Sequence, residues 1–155
     1  MWLSKLSNWR LRSSSSSDNA CRLEAHRDDG AEPLLERIHR ELPHLPEEAA
    51  QELAGILARL VAALGPERIY VFGSQARGTA GPNSDLDLMI VVPESDLPGH
   101  RRDQEAYRVA YPETVRCRLP VEILVFTREE FESRLPAVAS LPATIVREGR
   151  ILYAA

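Results

Sequence analysis

From Pro33 onward the chain alternates between helical and strand-like spacing of its apolar residues. Leu34, Leu35 and Ile38 recur at helical intervals until Pro43 and Pro46 interrupt them. The segment Glu47 to Leu64 carries the clearest stripe: Leu53, Ile56, Leu57, Leu60, Val61 and Leu64. Glu47 and Glu48 fall in its first turn, where the helix dipole favours negative charge, and Gly65-Pro66 stops it. Such a stripe is core packing and calls for no chemistry. Short apolar runs follow. Ile69 to Phe72 predicts a buried strand that breaks at Gly73-Ser74, Leu86 to Val92 a second strand closed by Pro93, and Val121 to Phe126 a third. The Gly78 to Ser84 stretch is too rich in Gly, Pro, Thr and Asn for regular structure. A polar helix is expected over Arg101 to Ala110. A capping box at Thr127-x-x-Glu130 opens a short helix that ends before Pro136. A helix near Pro142 to Glu148 and a strand at Ile151 to Tyr153 complete the pattern. Helices interleaved with short strands predict an α/β (α+β) fold, a small mixed sheet with flanking helices.

Composition narrows the class without changing that picture. The 155 residues are 44% hydrophobic and 27% charged, enough for one ordinary domain. No apolar run is long enough for a membrane-crossing helix, so no membrane association is expected. A formal charge of -4 argues against an extensive nucleic-acid-coating surface. Residues 1–27 carry +3 and residues 28–155 carry -7, and the first part includes the run Ser13 to Ser17 with no sustained apolar period. Residues 1–32 are therefore expected to be a disordered extension and residues 33–155 the folded domain. Arg and Ser in that extension faintly suggest a transit peptide, yet no cleavage pattern follows.

Lys5 is the only lysine, against eighteen arginines, a bias that a GC-rich genome explains as well as phosphate binding does. Arg101, Arg102, Arg108, Arg116 and Arg118 cluster, but Asp103, Glu105 and Glu113 dilute them into a solvated face. Cys21 and Cys117 form no disulfide framework and suit a cytoplasmic protein with reduced thiols. His26, His39, His44 and His100 show no zinc spacing and read as surface residues.

Candidate chemistry sits in Gly73-Ser74-Gln75-Ala76-Arg77-Gly78 and Asn83-Ser84-Asp85-Leu86-Asp87-Leu88. A strand that breaks into a helix exposes free N–H groups. Gly73 allows close approach of a phosphate, and Ser74 can cap the helix or donate its hydroxyl to a phosphate oxygen. Arg77 can reach the same anion or stand in solvent. Asp85 and Asp87, two residues apart in a strand, share a face with Cα atoms about 6.6 Å apart. Their repulsion is relieved by a divalent cation such as Mg²⁺, although a polar outer face of an edge strand explains the pair equally well. Glu122 interrupts an apolar run on the face of Leu124 and Phe126, where an unpaired carboxylate is costly. It either joins the aspartates or reaches water at the strand's start near Pro120.

Gly-Ser followed by Arg-Gly, then Ser-Asp-x-Asp-Leu on the next strand, resembles the nucleotidyltransferase superfamily that includes DNA polymerase beta. In particular it looks like the minimal, stand-alone nucleotidyltransferases of prokaryotes. The resemblance extends over residues 47–155, including the Glu148-Gly149-Arg150 turn. It departs from the pattern at Glu122, where Asp is common. The resemblance implies that Gly73, Ser74, Arg77 and Ser84 bind the nucleotide, ATP being the expected substrate. It implies that Asp85, Asp87 and Glu122 ligate two Mg²⁺ ions and form the catalytic set. The implied reaction moves a nucleoside monophosphate, AMP from ATP, to an acceptor hydroxyl. Small members often pair with a helical HEPN protein, so a tyrosine of a HEPN-type toxin is the leading acceptor, with this chain as antitoxin. Alternatives are an aminoglycoside-type small-molecule transferase, or a module that neutralises a toxin by contact alone. A surface helix such as Pro33 to Glu41 could meet a partner or merely cover its own core. The missing Walker-type and GxGxxG loops remove ATPase and dinucleotide readings.

Overall fold

The computed structural model describes residues 32–155. Residues 1–31 of the expected extension, with Lys5, Cys21 and His26, lie outside the described residues, while Glu32 is described and pairs with Arg37 and Arg40. The described chain runs α1 (Leu34–Glu41), α2 (Glu47–Leu64), β1 (Arg68–Phe72), α3 (Gly73–Arg77), β2 (Leu86–Val92), α4 (Gly99–Thr114), β3 (Val121–Thr127), α5 (Arg128–Arg134), α6 (Leu141–Glu148) and β4 (Arg150–Ala154). It is a mixed α/β fold. Gly65 ends α2 in the left-handed conformation, with φ of 55°, that a glycine adopts without strain. Thr127 and Glu130 form the reciprocal capping box at the start of α5.

The four strands lie in the order β3-β2-β1-β4. β1 is antiparallel to β2 and to β4, whereas β2 and β3 are parallel. The two-residue strand period sorts side chains cleanly onto two faces. Ile69, Val71, Leu86, Leu88, Ile90, Ile123, Val125 and Leu152 turn to one face. There they pack beneath Ile38 and Leu42 of α1 and its C-cap, Leu53, Ile56, Leu57 and Leu60 of α2, and Ala106 and Ala110 of α4. α1 therefore covers its own core. The other face carries Tyr70, Met89 and Val91, capped by Phe131 of α5 and Ile145 of α6. Phe131 stacks on Tyr70 with centroids 5.6 Å apart. This second layer is smaller. It closes over Met89 and Val91 but leaves Asp87, two residues earlier, half-buried.

β3 is an edge strand, and α4 occupies its free hydrogen-bonding side. The Ile123 N–H donates to the Tyr107 hydroxyl (2.8 Å), and the Val125 N–H donates to Asp103 Oδ1 (2.7 Å). Arg102 Nε donates to the Val125 carbonyl (3.2 Å), Nη1 donates to the Leu97 carbonyl (2.6 Å), and Nη2 pairs with Glu130. Arg102 is only 7% exposed, which corrects its expected place on a solvated face. The edge strand's unpaired backbone recruited it inward. Arg108 pairs with Glu105, as the expected charge dilution has it, whereas Arg118 pairs with Glu48 of α2 instead. α4 also runs beyond its expected end at Ala110, passing through Pro112.

Candidate active site

Three chain breaks converge at one end of the sheet: the end of β1 and the starts of β2 and β3. Asp87 is the second residue of β2, flanked on one side by Phe72 of β1 and on the other by Glu122 of β3. The parallel register sets Glu122 directly beside Asp87, and their carboxyl groups lie within hydrogen-bonding reach. The expected adjacency of the two strands is present, and Asp87 and Glu122 share a face, but Asp85 does not share the strand as expected. Glu122 is exposed rather than enclosed, because the α5–α6 layer stops short of the strand's start. Asp85 is also exposed and precedes the β2 ladder by one residue. Among the described residues no three acidic, histidine or cysteine side chains are drawn into one ready-made ligand cluster. Asp87 and Glu122 meet, and Asp85 acts on Asp87 through its charge.

The Asp87 carboxyl is pushed above the usual carboxylate range, first by burial and then by the negative charges of Glu122 and Asp85. The hydrogen bond with Glu122 adds to the rise, and the nearby Arg77 guanidinium opposes it. A group of hard oxygen donors that repel one another, on an open strand end, suits a divalent cation in both charge and chemistry.

Gly73 opens α3 with φ of 69°, a conformation costly for residues with a side chain. A Cβ placed there would overlap Asp87 Oδ2. Glycine at this position therefore keeps room for the aspartate, a long-range reason that the sequence pattern did not reveal. Because the helix starts at Gly73, its N-cap is Phe72 and no side chain caps it. Ser74 thus sits inside the first turn, half-buried, and the capping alternative for it is set aside. With five residues α3 has little macrodipole, so anion affinity here would come from free N–H groups, the Ser74 hydroxyl and Arg77.

Arg77 is exposed and 3.7 Å from Glu148 at the end of α6. Ser84 is committed locally: its hydroxyl accepts from the Gly81 N–H (2.8 Å), and its N–H donates to the Gly81 carbonyl (3.1 Å). Gln75 was not singled out from the sequence, yet it is buried at 3% exposure beside the site. Its position one residue past the Gly-Ser break was the available signal. His39 pairs with Glu47 and His44 with Gln75, both from the surface, and Cys117 is a free, half-buried thiol. Burial pushes that thiol's pKa up. No helix of the described residues is long and apolar enough to cross a membrane.

Residues 50–152 match the family model described as a nucleotidyltransferase domain. No curated protein matches the chain. Among solved structures, a toxin–antitoxin with AMP-PNP is 22% identical, with a TM-score of 0.43 over 64% of this chain and 72% of that one. A Sulfolobus solfataricus protein assigned as a nucleotidyltransferase is 21% identical, with a TM-score of 0.41 over 68% of this chain and 84% of its own. The matched family segment begins in α2, ends in β4 and contains both the Gly-Ser break and all three carboxylates. By that match the chain belongs to the nucleotidyltransferase domain family.

Proposed function

We propose that the end of the sheet bearing Asp85, Asp87 and Glu122 transfers a nucleoside monophosphate, AMP from ATP, to an acceptor hydroxyl. The observation that carries this reading is the pairing of Asp87 with Glu122 across parallel strands, opposite a glycine whose Cβ would overlap the Asp87 carboxylate. In this reading the backbone of Gly73 and the hydroxyl of Ser74 receive the triphosphate tail. Arg77 adds positive charge beside it, and Ser84 holds the loop that borders the nucleotide. Asp85, Asp87 and Glu122 hold divalent cations, two Mg²⁺ ions. When bound, such ions neutralise phosphate charge and lower the pKa of the acceptor hydroxyl. The acceptor oxygen then bonds to the α-phosphorus in line as the bond to the leaving pyrophosphate breaks. The protein's share of the work is positioning and charge compensation. Glu122 reaches farther than the more usual Asp, which suits a carboxylate at the exposed start of β3.

The acceptor we favour is a tyrosine of a helical HEPN-type toxin, with this chain acting as its antitoxin in the cytoplasm. That part rests on the sequence resemblance. The test incubates the protein with ATP labelled at the α-phosphate and a small helical protein encoded beside it. Label should enter the partner, and Asp87→Asn should reduce incorporation by at least about a hundredfold, since a shared charge site is lost. A tight complex without label would leave contact neutralisation as the function. Label on an aminoglycoside instead would reassign the acceptor.

A further inference from the structure

The three carboxylates are not held equally. Asp87 and Glu122 sit inside the sheet ladder, each fixed by a register partner. Asp85 stands outside it, because β2 begins at Leu86. On its C-terminal side the chain is anchored by the Leu86 N–H, which donates to the Pro120 carbonyl at 2.8 Å. On its N-terminal side the Ser84 N–H and hydroxyl bond only within their own loop, to Gly81, and the tie from that loop to α3 is a side chain. Gln75 Nε2 approaches the Ser84 carbonyl at 3.5 Å, a long hydrogen bond into the peptide unit that joins Ser84 to Asp85. Gln75 Oε1 is in turn 3.1 Å from His44 Nε2, in the connection between α1 and α2.

Packing does not do this job instead. A cleft of ≈ 310 Å³ lies on that side, lined by His44, Pro46, Gln75, Pro82 and Leu119 among others. The residues between Thr79 and Asp85 form no helix or strand. Gln75 itself is 3% exposed and belongs to α3, the element that begins with Gly73 and Ser74. One buried amide thereby joins the Gly-Ser turn to the peptide that carries Asp85. We infer that Gln75 is a positioning residue for Asp85, holding it in register with the Gly73–Ser74 turn, with His44 orienting the amide from behind. The inference deepens the nucleotide-transfer reading and rests on it for its functional meaning.

Two readouts test it, one of which needs neither metal nor acceptor. Gln75→Met keeps the side-chain length and removes the donor. Hydrogen exchange across residues 79–86 should accelerate by about tenfold, while Leu88 to Val92 stay protected. Manganese titration followed by electron paramagnetic resonance should show half-saturation at a concentration about 10–100-fold higher, as when the partner of a metal ligand is lost. Gln75→Glu retains volume and the contact with His44 but cannot donate when ionised, so it should reproduce the exchange change; it also decides the matter if the methionine variant does not fold. His44→Ala should give a smaller change in the same direction. A folded Gln75→Met with wild-type exchange and wild-type manganese binding overturns the inference. If the wild-type protein takes up no manganese at the carboxylates, the transfer reading fails, while the exchange experiment still decides whether Gln75 holds Asp85.

Discussion

Under the proposed function, Asp87 is the residue on which stability and activity pull in opposite directions. Its carboxyl titrates above the ordinary range because burial and the charges of Glu122 and Asp85 disfavour ionisation. For a carboxyl with a raised folded-state pKa, ionisation costs stability at neutral pH, and the cost disappears as pH falls below that pKa. Asp87→Asn should therefore melt at or above the wild-type temperature in chelator while losing transfer activity. Added divalent cation should raise the melting temperature of the wild type and leave the variant unmoved. Scanning calorimetry with and without Mg²⁺ checks both; a variant that melts well below wild type in chelator would show that Asp87 is structural. Gly73→Ala makes the complementary case. It meets left-handed backbone strain, of order 1–3 kcal/mol, and an overlap with Asp87 Oδ2. Denaturant unfolding should show at least ~1 kcal/mol of destabilisation together with loss of transfer. The place of Asp87 and the face of Glu122 could be read from strand alternation, which is local, whereas Asp85 lies one residue before the strand that was expected to carry it. The dependence of Gly73 on Asp87 could not, since the two are brought together only by the antiparallel pairing of β1 with β2.

At the scale of elements, α4 and α5 are joined through Arg102 and Glu130. The guanidinium of Arg102 holds the Glu130 carboxyl below its ordinary value, against a smaller opposing effect of burial. A depressed carboxylate contributes stability above its unfolded pKa, near 4.5, and loses it as pH falls through the lower folded-state value. Glu130→Gln should thus be less stable than wild type at pH 7, and the gap should narrow on acidification below about pH 4.5. Urea midpoints across that range give the comparison, and a gap that widened in acid would contradict the sign. Periodicity located α2 and β2 at their observed bounds, and the Thr127 capping box marked the start of α5. It missed the inward turn of Arg102, because the need for that donor arises from an edge strand 23 residues away. It also ended α4 too early, at Ala110, whereas the helix continues through Pro112 to Thr114.

The described part of the molecule is a sheet with a thick helical layer on one face and a thinner one on the other. The thick layer supplies the main core, and the thin one stops short of the β2 and β3 starts, leaving the acidic end open. Fold class followed from the interleaving of periods, but strand order did not. Placing β4 beside β1, at the far edge from β3, depends on contacts that no local pattern encodes. The open end leaves room for the large, charged substrate of the proposed function. Anomalous scattering from crystals grown with Mn²⁺ and a non-hydrolysable ATP analogue tests the proposed metal site at the carboxylates directly. Density peaks should lie against Asp87 and Glu122 with Asp85 drawn in, and the triphosphate tail should run to Gly73 and Ser74. Triphosphate bound elsewhere, with those carboxylates free of manganese, would contradict it.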